Sequence, residues 1–184
     1  MDNEKIINTN NFSTIKTCCR DAQNQSKMIG ITGYPGAGKT TALLHYYKND
    51  PNTFYVKVQP SMRPKVFYSK ILQNMGVPDQ NNGIQLHYLI QKIAFILKNS
   101  NEKNLLIIDE AGKFSPRMLE YLHELRDETN ENTGIILAGP DYFHSNLIKW
   151  VNRGKEGMPE VYRRINMWEE LNKPTFSEVS AISV

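Results

Sequence analysis

The sequence predicts a three-layer α/β domain in which a central, mostly parallel β-sheet is flanked by helices, and three observations carry that expectation. Apolar runs of strand length alternate with helical patterns along most of the chain. The runs at 105–108 and 135–138 are aliphatic without interruption, as in strands covered by helices on both faces. A glycine-rich turn joins the run at 28–32 to a stretch of helix formers at 40–47.

Residues 1–12 are rich in Asn, Asp and Lys, the composition of a flexible N-terminal arm, which leaves 13–184 as a single domain. From Phe12 to Arg20, the positions Phe12, Ile15 and Cys18/Cys19 recur at helical spacing, with Ser13 or Thr14 as caps. They predict an amphipathic helix that covers the sheet. After the strand at 28–32 and the helix at 40–47, residues 53–58 are β-branched and aromatic between Pro51 and Pro60, and so form the next strand. A helix over 65–75 has Val66, Ser69/Lys70 and Ile71/Leu72 on its apolar side and ends at Gly76 and Pro78. Ile84, Tyr88/Leu89, Ile93 and Ile96/Leu97 make the longest helical stripe. The strand at 105–108 stops at Asp109 and Glu110. Ser115 and Pro116 then supply an N-cap and a first-turn proline for a helix with Met118, Leu122 and Leu125 on one side. The strand at 135–138 ends at Gly139 and Pro140.

With 184 residues, 40% hydrophobic and 22% charged, the chain is sized for one domain with a core, which excludes collagen-like and disordered classes. Lys and Arg number 22 against 19 acidic residues, a net charge of +3 that permits nucleic-acid binding without arguing for it. Cys18 and Cys19 are adjacent and neither staple distant segments nor space metal ligands, so the expected compartment is reducing. No run of about 18 apolar residues exists and the acidic start lacks a signal peptide's features, so a soluble, cytoplasmic protein with no membrane partner is expected.

Gly33, Tyr34, Pro35, Gly36, Ala37, Gly38, Lys39 and Thr40 match the P-loop pattern in full, between a strand and a helix as its mechanism requires. Glycine spacing lets backbone amides turn inward at phosphate oxygens, and the helix N-terminus adds a favourable dipole. Nucleotide contacts are therefore expected from residues 33–40 with Thr41, and Lys39 is expected to reach the β- and γ-phosphates. Asp109 and Glu110 emerge at the carboxyl edge of the sheet beside that loop. Thr40 and Asp109 are the expected Mg²⁺ partners, and Glu110 is placed to orient and deprotonate a water against the γ-phosphate of ATP.

The P-loop, the run from Leu106 to Ala111, the run from Gly134 to Pro140 and the pair Arg163-Arg164 follow one another in an order and spacing that resemble AAA+ ATPases. Within that family they are similar to the branch of phage Mu B, TnsC-type transposition regulators and ExeA-like ATPases. The resemblance spans roughly Phe12 to Glu178. It implies an AAA+ core, and an ATPase that oligomerises on double-stranded DNA, as a ring or filament, and helps a transposase choose or use its target. It also implies an arginine supplied in trans by a neighbouring subunit. Arg163 and Arg164 are the matching positions, with Arg153 a weaker candidate.

Two departures from the family pattern stand out. Ala138, Gly139 and Pro140 lack the polar residue that many AAA+ proteins use to sense the γ-phosphate, although Asp141 follows. After Leu171 too few residues follow for a helical lid, so the lid is expected to be absent or minimal. Candidate DNA-phosphate contacts are Arg63, Lys65, Lys70, Lys113 and Arg117. Trp150, Trp168, Tyr142 and Phe143 are expected in the core or at a subunit interface, and the four histidines receive no role. A nucleotide-locked assembly or signalling module and a small-molecule kinase remain alternatives.

Overall fold

In the computed structural model, which describes residues 9–78 and 83–173, the chain opens with helix α1 (Asn10–Gln25). Residues 10–12, expected in a flexible arm, belong to this helix. Thr9, rather than Ser13 or Thr14, caps the helix by accepting from the Phe12 amide at 3.2 Å, and Asn11 and Phe12 are buried. A good cap and one anchoring aromatic outweigh a polar local composition; residues 1–8 lie outside the described residues.

Strands β1 (Met28–Thr32), β2 (Thr53–Lys57), β3 (Asn104–Asp109), β4 (Thr133–Gly139) and β5 (Met167–Glu170) form one parallel sheet in the order β2-β3-β4-β1-β5. Helices α2 (Lys39–Asn49), α3 (Pro64–Asn74), α4 (Leu86–Lys98), α5 (Pro116–Thr129), α6 (Tyr142–Asn152) and α7 (Met158–Arg164) fill the connections. Strands β1, β3 and β4 are buried at every position, which is why two of them read as unbroken aliphatic runs.

Alternate residues feed two cores. Ile29, Ile31, Leu105, Ile107, Ile136 and Ala138 pack with α1 and α2 on one face. Val56, Leu106, Ile108, Ile135 and Leu137 pack with the other helices on the opposite face. Val66, expected on the apolar side of α3, is 42% exposed, because Phe67, Tyr68, Ile71 and Leu72 make the buried side.

Strand order reverses around β1. The chain leaves β1 through α2 to reach β2 across β4 and β3, whereas β5 lies on the other side of β1. The carboxyl edge at such a reversal opens a crevice suited to ligands. Both the P-loop, after β1, and the Asp109-Glu110 pair, after β3, lie on that edge.

Candidate functional site

The loop after β1 is shaped by two glycines. Gly36 and Gly38 have φ of 84° and 83°, a left-handed conformation that strains any side chain, so the backbone itself requires glycine here. Helix α2 starts at Lys39 without a side-chain cap, leaving the amides of its first turn directed out of the helix end, where an anion is favoured. The Lys39 ammonium folds back over the loop and donates to the carbonyls of Gly33 and, at 3.0 Å, Tyr34. Burial lowers its pKa, opposed by the charges of Asp109, Glu110 and Asp141.

Asp109 is 1% exposed, and three donors hold its carboxylate. Oδ2 accepts from the Thr40 hydroxyl at 2.7 Å and from the Tyr55 phenol at 2.8 Å, and Oδ1 accepts from the Glu110 amide at 2.9 Å. Thr40 thus ties the start of α2 to the end of β3 across the intervening strand β4. Burial, with Asp109 beside it, pushes the Tyr55 phenol far up, so this hydroxyl stays a donor. The neighbouring carboxylate is in a different setting: Glu110 is half-exposed, has φ of 61°, and lies 3.2 Å from the Lys113 ammonium. The two acids therefore suit different tasks, one fixed and desolvated, the other free to meet water.

Thr40 and Asp109 supply hard oxygen donors side by side, which fits a magnesium ion completed by phosphate oxygens and water. Among the described residues no group of three or more His, Cys, Asp or Glu side chains forms a metal site of its own.

Elsewhere the expected residues divide. Pro140 packs against Gly112, and Asp141 spends its carboxylate on the amide of Tyr142 at 2.9 Å, capping α6. Arg163 and Arg164 end α7 just before β5, at the amino edge of the sheet, where Asn166 exchanges hydrogen bonds with Met28. The strand β1 separates them from the P-loop, roughly 16 Å at about 3.3 Å per residue. Arg164 is engaged by Asp127 of α5 at 2.6 Å, whereas Arg163 is exposed, with Glu160 no nearer than 3.8 Å. Arg153 caps the end of α6 through its backbone.

Phe67 and Phe114 meet edge to face at 5.1 Å, which joins the start of α3 to the loop before α5. Arg63 and Lys65 therefore flank the segment that carries Lys113 and Arg117, while Lys70 lies further along α3. Arg117 is partly engaged, donating to the Tyr121 hydroxyl at 2.8 Å. Of the aromatics, Phe143 is buried and Trp168 and Trp150 pack on the core, but Tyr142 is 56% exposed. His144 stacks on Trp168 at 4.2 Å. No described helix is long and apolar enough to cross a membrane.

Sequence reading missed two members of these networks. Tyr55 is legible in the sequence only as a strand aromatic, and Asp127 carries no signal there. No local motif marks either one, since each acts on a partner 54 or 37 residues away.

A family model described as an AAA domain matches residues 22–147, more than half of the chain. The ATP-dependent target DNA activator B of Escherichia phage D108 is 26% identical over 182 residues, covering 97% of this chain and 55% of that protein. The Mu-like prophage FluMu DNA transposition protein B of Haemophilus influenzae is 25% identical over 175 residues, covering 93% of this chain and 52% of that protein. The chain thus spans about half the length of the curated relatives it matches. Among solved structures, the Aeropyrum pernix ORC2 protein in ADPNP-ADP complexes superposes with a TM-score of 0.76 at 20% identity, over 99% of this chain and 53% of that one. The Aeropyrum pernix ORC1 protein in complex with DNA gives 0.67 at 13% identity, over 94% and 47%. These structural likenesses establish the fold.

Proposed function

The chain belongs to the AAA domain family, and on that premise we propose that it is an ATP-dependent transposition regulator, which binds and hydrolyses ATP, assembles on duplex DNA and acts on a partner transposase. The observation that carries the reading is the 2.7 Å hydrogen bond from Thr40 to Asp109, which couples the phosphate-loop helix to the buried acid at the strand end. The D108 target DNA activator and the FluMu DNA transposition protein supply the link to target DNA and transposition.

In this reading, amides of residues 33–41 cradle the phosphates and the Lys39 ammonium exchanges its carbonyl partners for phosphate oxygens. Thr40 and Asp109 would hold magnesium, which would supply charge neutralisation at the phosphates. Asp109 is held in place by its three donors. Glu110, released from Lys113, holds the attacking water and takes its proton.

The arginine that meets the γ-phosphate comes from a second copy, because Arg163 and Arg164 sit at the far edge of the sheet from their own P-loop. Hydrolysis then depends on assembly. Arg63, Lys65, Lys113 and Arg117, near the same carboxyl edge, contact DNA phosphates without reading bases, so affinity falls steeply with salt.

Electron microscopy with duplex DNA, comparing ATP with ADP, tests nucleotide, DNA and assembly together. ATP-promoted assemblies on DNA are expected; absence of nucleotide binding by folded protein overturns the reading. A nucleotide-locked module is favoured as the second reading by two features: the polar sensor position is filled by Ala138, Gly139 and Pro140, and Glu110 is ion-paired to Lys113. ATP-dependent assembly with no turnover, even on DNA, would select it.

A further inference from the structure

Oδ2 of Asp109 receives two hydroxyls, and only one belongs to the phosphate loop. Thr40 comes from α2; Tyr55 comes from β2, an element outside the P-loop pattern. Strands β2 and β3 pair in parallel with Tyr55 opposite Ile107 and Lys57 opposite Asp109. Alternation puts Tyr55, Ile107 and Asp109 on the same face of the sheet, and the long tyrosine side chain reaches one position forward to the carboxylate at 2.8 Å. Its ring lies against Tyr47 of α2, centroids 5.9 Å apart, and its carbonyl accepts from the Asn74 side chain. The phenol is thus anchored at both ends before it meets the acid.

That anchoring has a consequence for a metal. A ligating carboxylate is useful when its plane and its free lone pairs are fixed, and groups that hydrogen-bond to ligands set affinity as much as the ligands do. In the nucleotide-site reading the Thr40 oxygen would itself be a ligand, and Glu110 contributes only its amide to Oδ1. Tyr55 is the side chain whose sole business with Asp109 is to hold it.

We propose that Tyr55 is a positioning residue that orients Asp109 and thereby sets the magnesium dependence of nucleotide binding. This rests on the nucleotide-site reading given above. Because the phenol touches neither nucleotide nor cation in that reading, its loss weakens the metal-dependent part of binding and spares the rest.

The test is calorimetry of a non-hydrolysable ATP analogue with the full chain, across a magnesium series and in EDTA, for wild type, Tyr55→Phe and Tyr47→Leu. Tyr55→Phe keeps the ring on Tyr47 and removes only the hydroxyl. It is expected to raise the half-saturating magnesium concentration about tenfold, with unchanged affinity in EDTA. Tyr47→Leu loosens the packing, keeps the hydroxyl and is expected to shift the magnesium midpoint less than Tyr55→Phe does. A wild-type midpoint in Tyr55→Phe overturns the inference alone, as does a Tyr47→Leu chain that reproduces the shift, or an equal loss of affinity in EDTA. A wild-type chain that binds no analogue in any condition overturns the nucleotide reading and this inference together.

Discussion

Asp127 on α5 and Arg164 at the end of α7 are joined by two hydrogen bonds, Nε to Oδ1 at 2.6 Å and Nη2 to Oδ2 at 3.2 Å. This fork uses both carboxylate oxygens and ties α7 to its own subunit. Arg163, one residue earlier, has a side chain 72% exposed and is the guanidinium that the proposed second copy would meet. Arg163→Ala is therefore expected to lower DNA-stimulated ATP hydrolysis at least about tenfold with an unchanged melting temperature. Mixing it with Glu110→Gln subunits should restore part of the rate, since only mixed interfaces pair an intact arginine with an intact acid. Arg164→Ala should instead lower the melting temperature. Equal loss of hydrolysis in Arg164→Ala at native stability would reverse the two roles.

The same fork gives a pH signature. Hydrogen bonding from Arg164, with the neighbouring charges of His123 and Arg126, holds the Asp127 carboxyl below its ordinary range, against a smaller opposing effect of burial. A carboxyl depressed in the folded state stabilises above its unfolded pKa and loses that contribution as the pH falls through its folded value. Asp127→Asn should therefore be less stable than wild type above about pH 5. The margin should close below about pH 3.9, the ordinary value for Asp. Paired urea titrations across this range measure it, and a margin that persists in strong acid would show that the charge is not its source.

Legibility followed the range of the interactions. The P-loop, the buried strands and the acidic strand end are local patterns, and the structure brings Thr40 to Asp109 as their spacing implies. The opening helix begins two residues before its apolar spacing predicts, because nothing marks Thr9 as a cap until Phe12 is seen to be buried. Tyr55 and Asp127 were invisible as partners because strand register and helix packing, rather than sequence neighbourhood, bring them to Asp109 and Arg164. Glu110 carried its expected carboxylate, but its left-handed backbone has no sequence signal at all.

Close packing of α1 on the sheet gives a third prediction. A Cβ at Gly134 would collide with the backbone of Ala22 and Gln23, which no rotamer change relieves. Gly134→Ala should cost about 1–3 kcal/mol, toward the upper end because backbone must move. A lower urea midpoint with an unchanged m-value reads it. A wild-type midpoint would mean that α1 is free to shift on β4.

Glu110 carries backbone strain where the chemistry is expected, with φ of 61° and ψ of 31° in a residue that has a Cβ. The left-handed conformation costs an ordinary residue about 1–2 kcal/mol, and such strain persists where surrounding structure holds it for a purpose. Here the hold is visible. The Glu110 amide donates to Asp109 Oδ1 and its carbonyl accepts from the Lys113 amide at 3.0 Å, so both peptide groups are fixed while the carboxylate projects from the strand end. Three substitutions separate chemistry from strain. Glu110→Gln keeps the backbone and the shape, and should retain nucleotide binding while slowing hydrolysis at least about 100-fold, in keeping with loss of a general base. Glu110→Ala removes the carboxylate and keeps the strain. Glu110→Gly removes both, and should be more stable than Glu110→Ala by about 1 kcal/mol, even though glycine ordinarily costs more to order. Urea titration of the alanine and glycine chains gives the comparison. If the glycine variant is no more stable than the alanine variant, the turn at Glu110 is unstrained and its geometry needs another cause; if Glu110→Gln turns over at the wild-type rate, the base lies elsewhere.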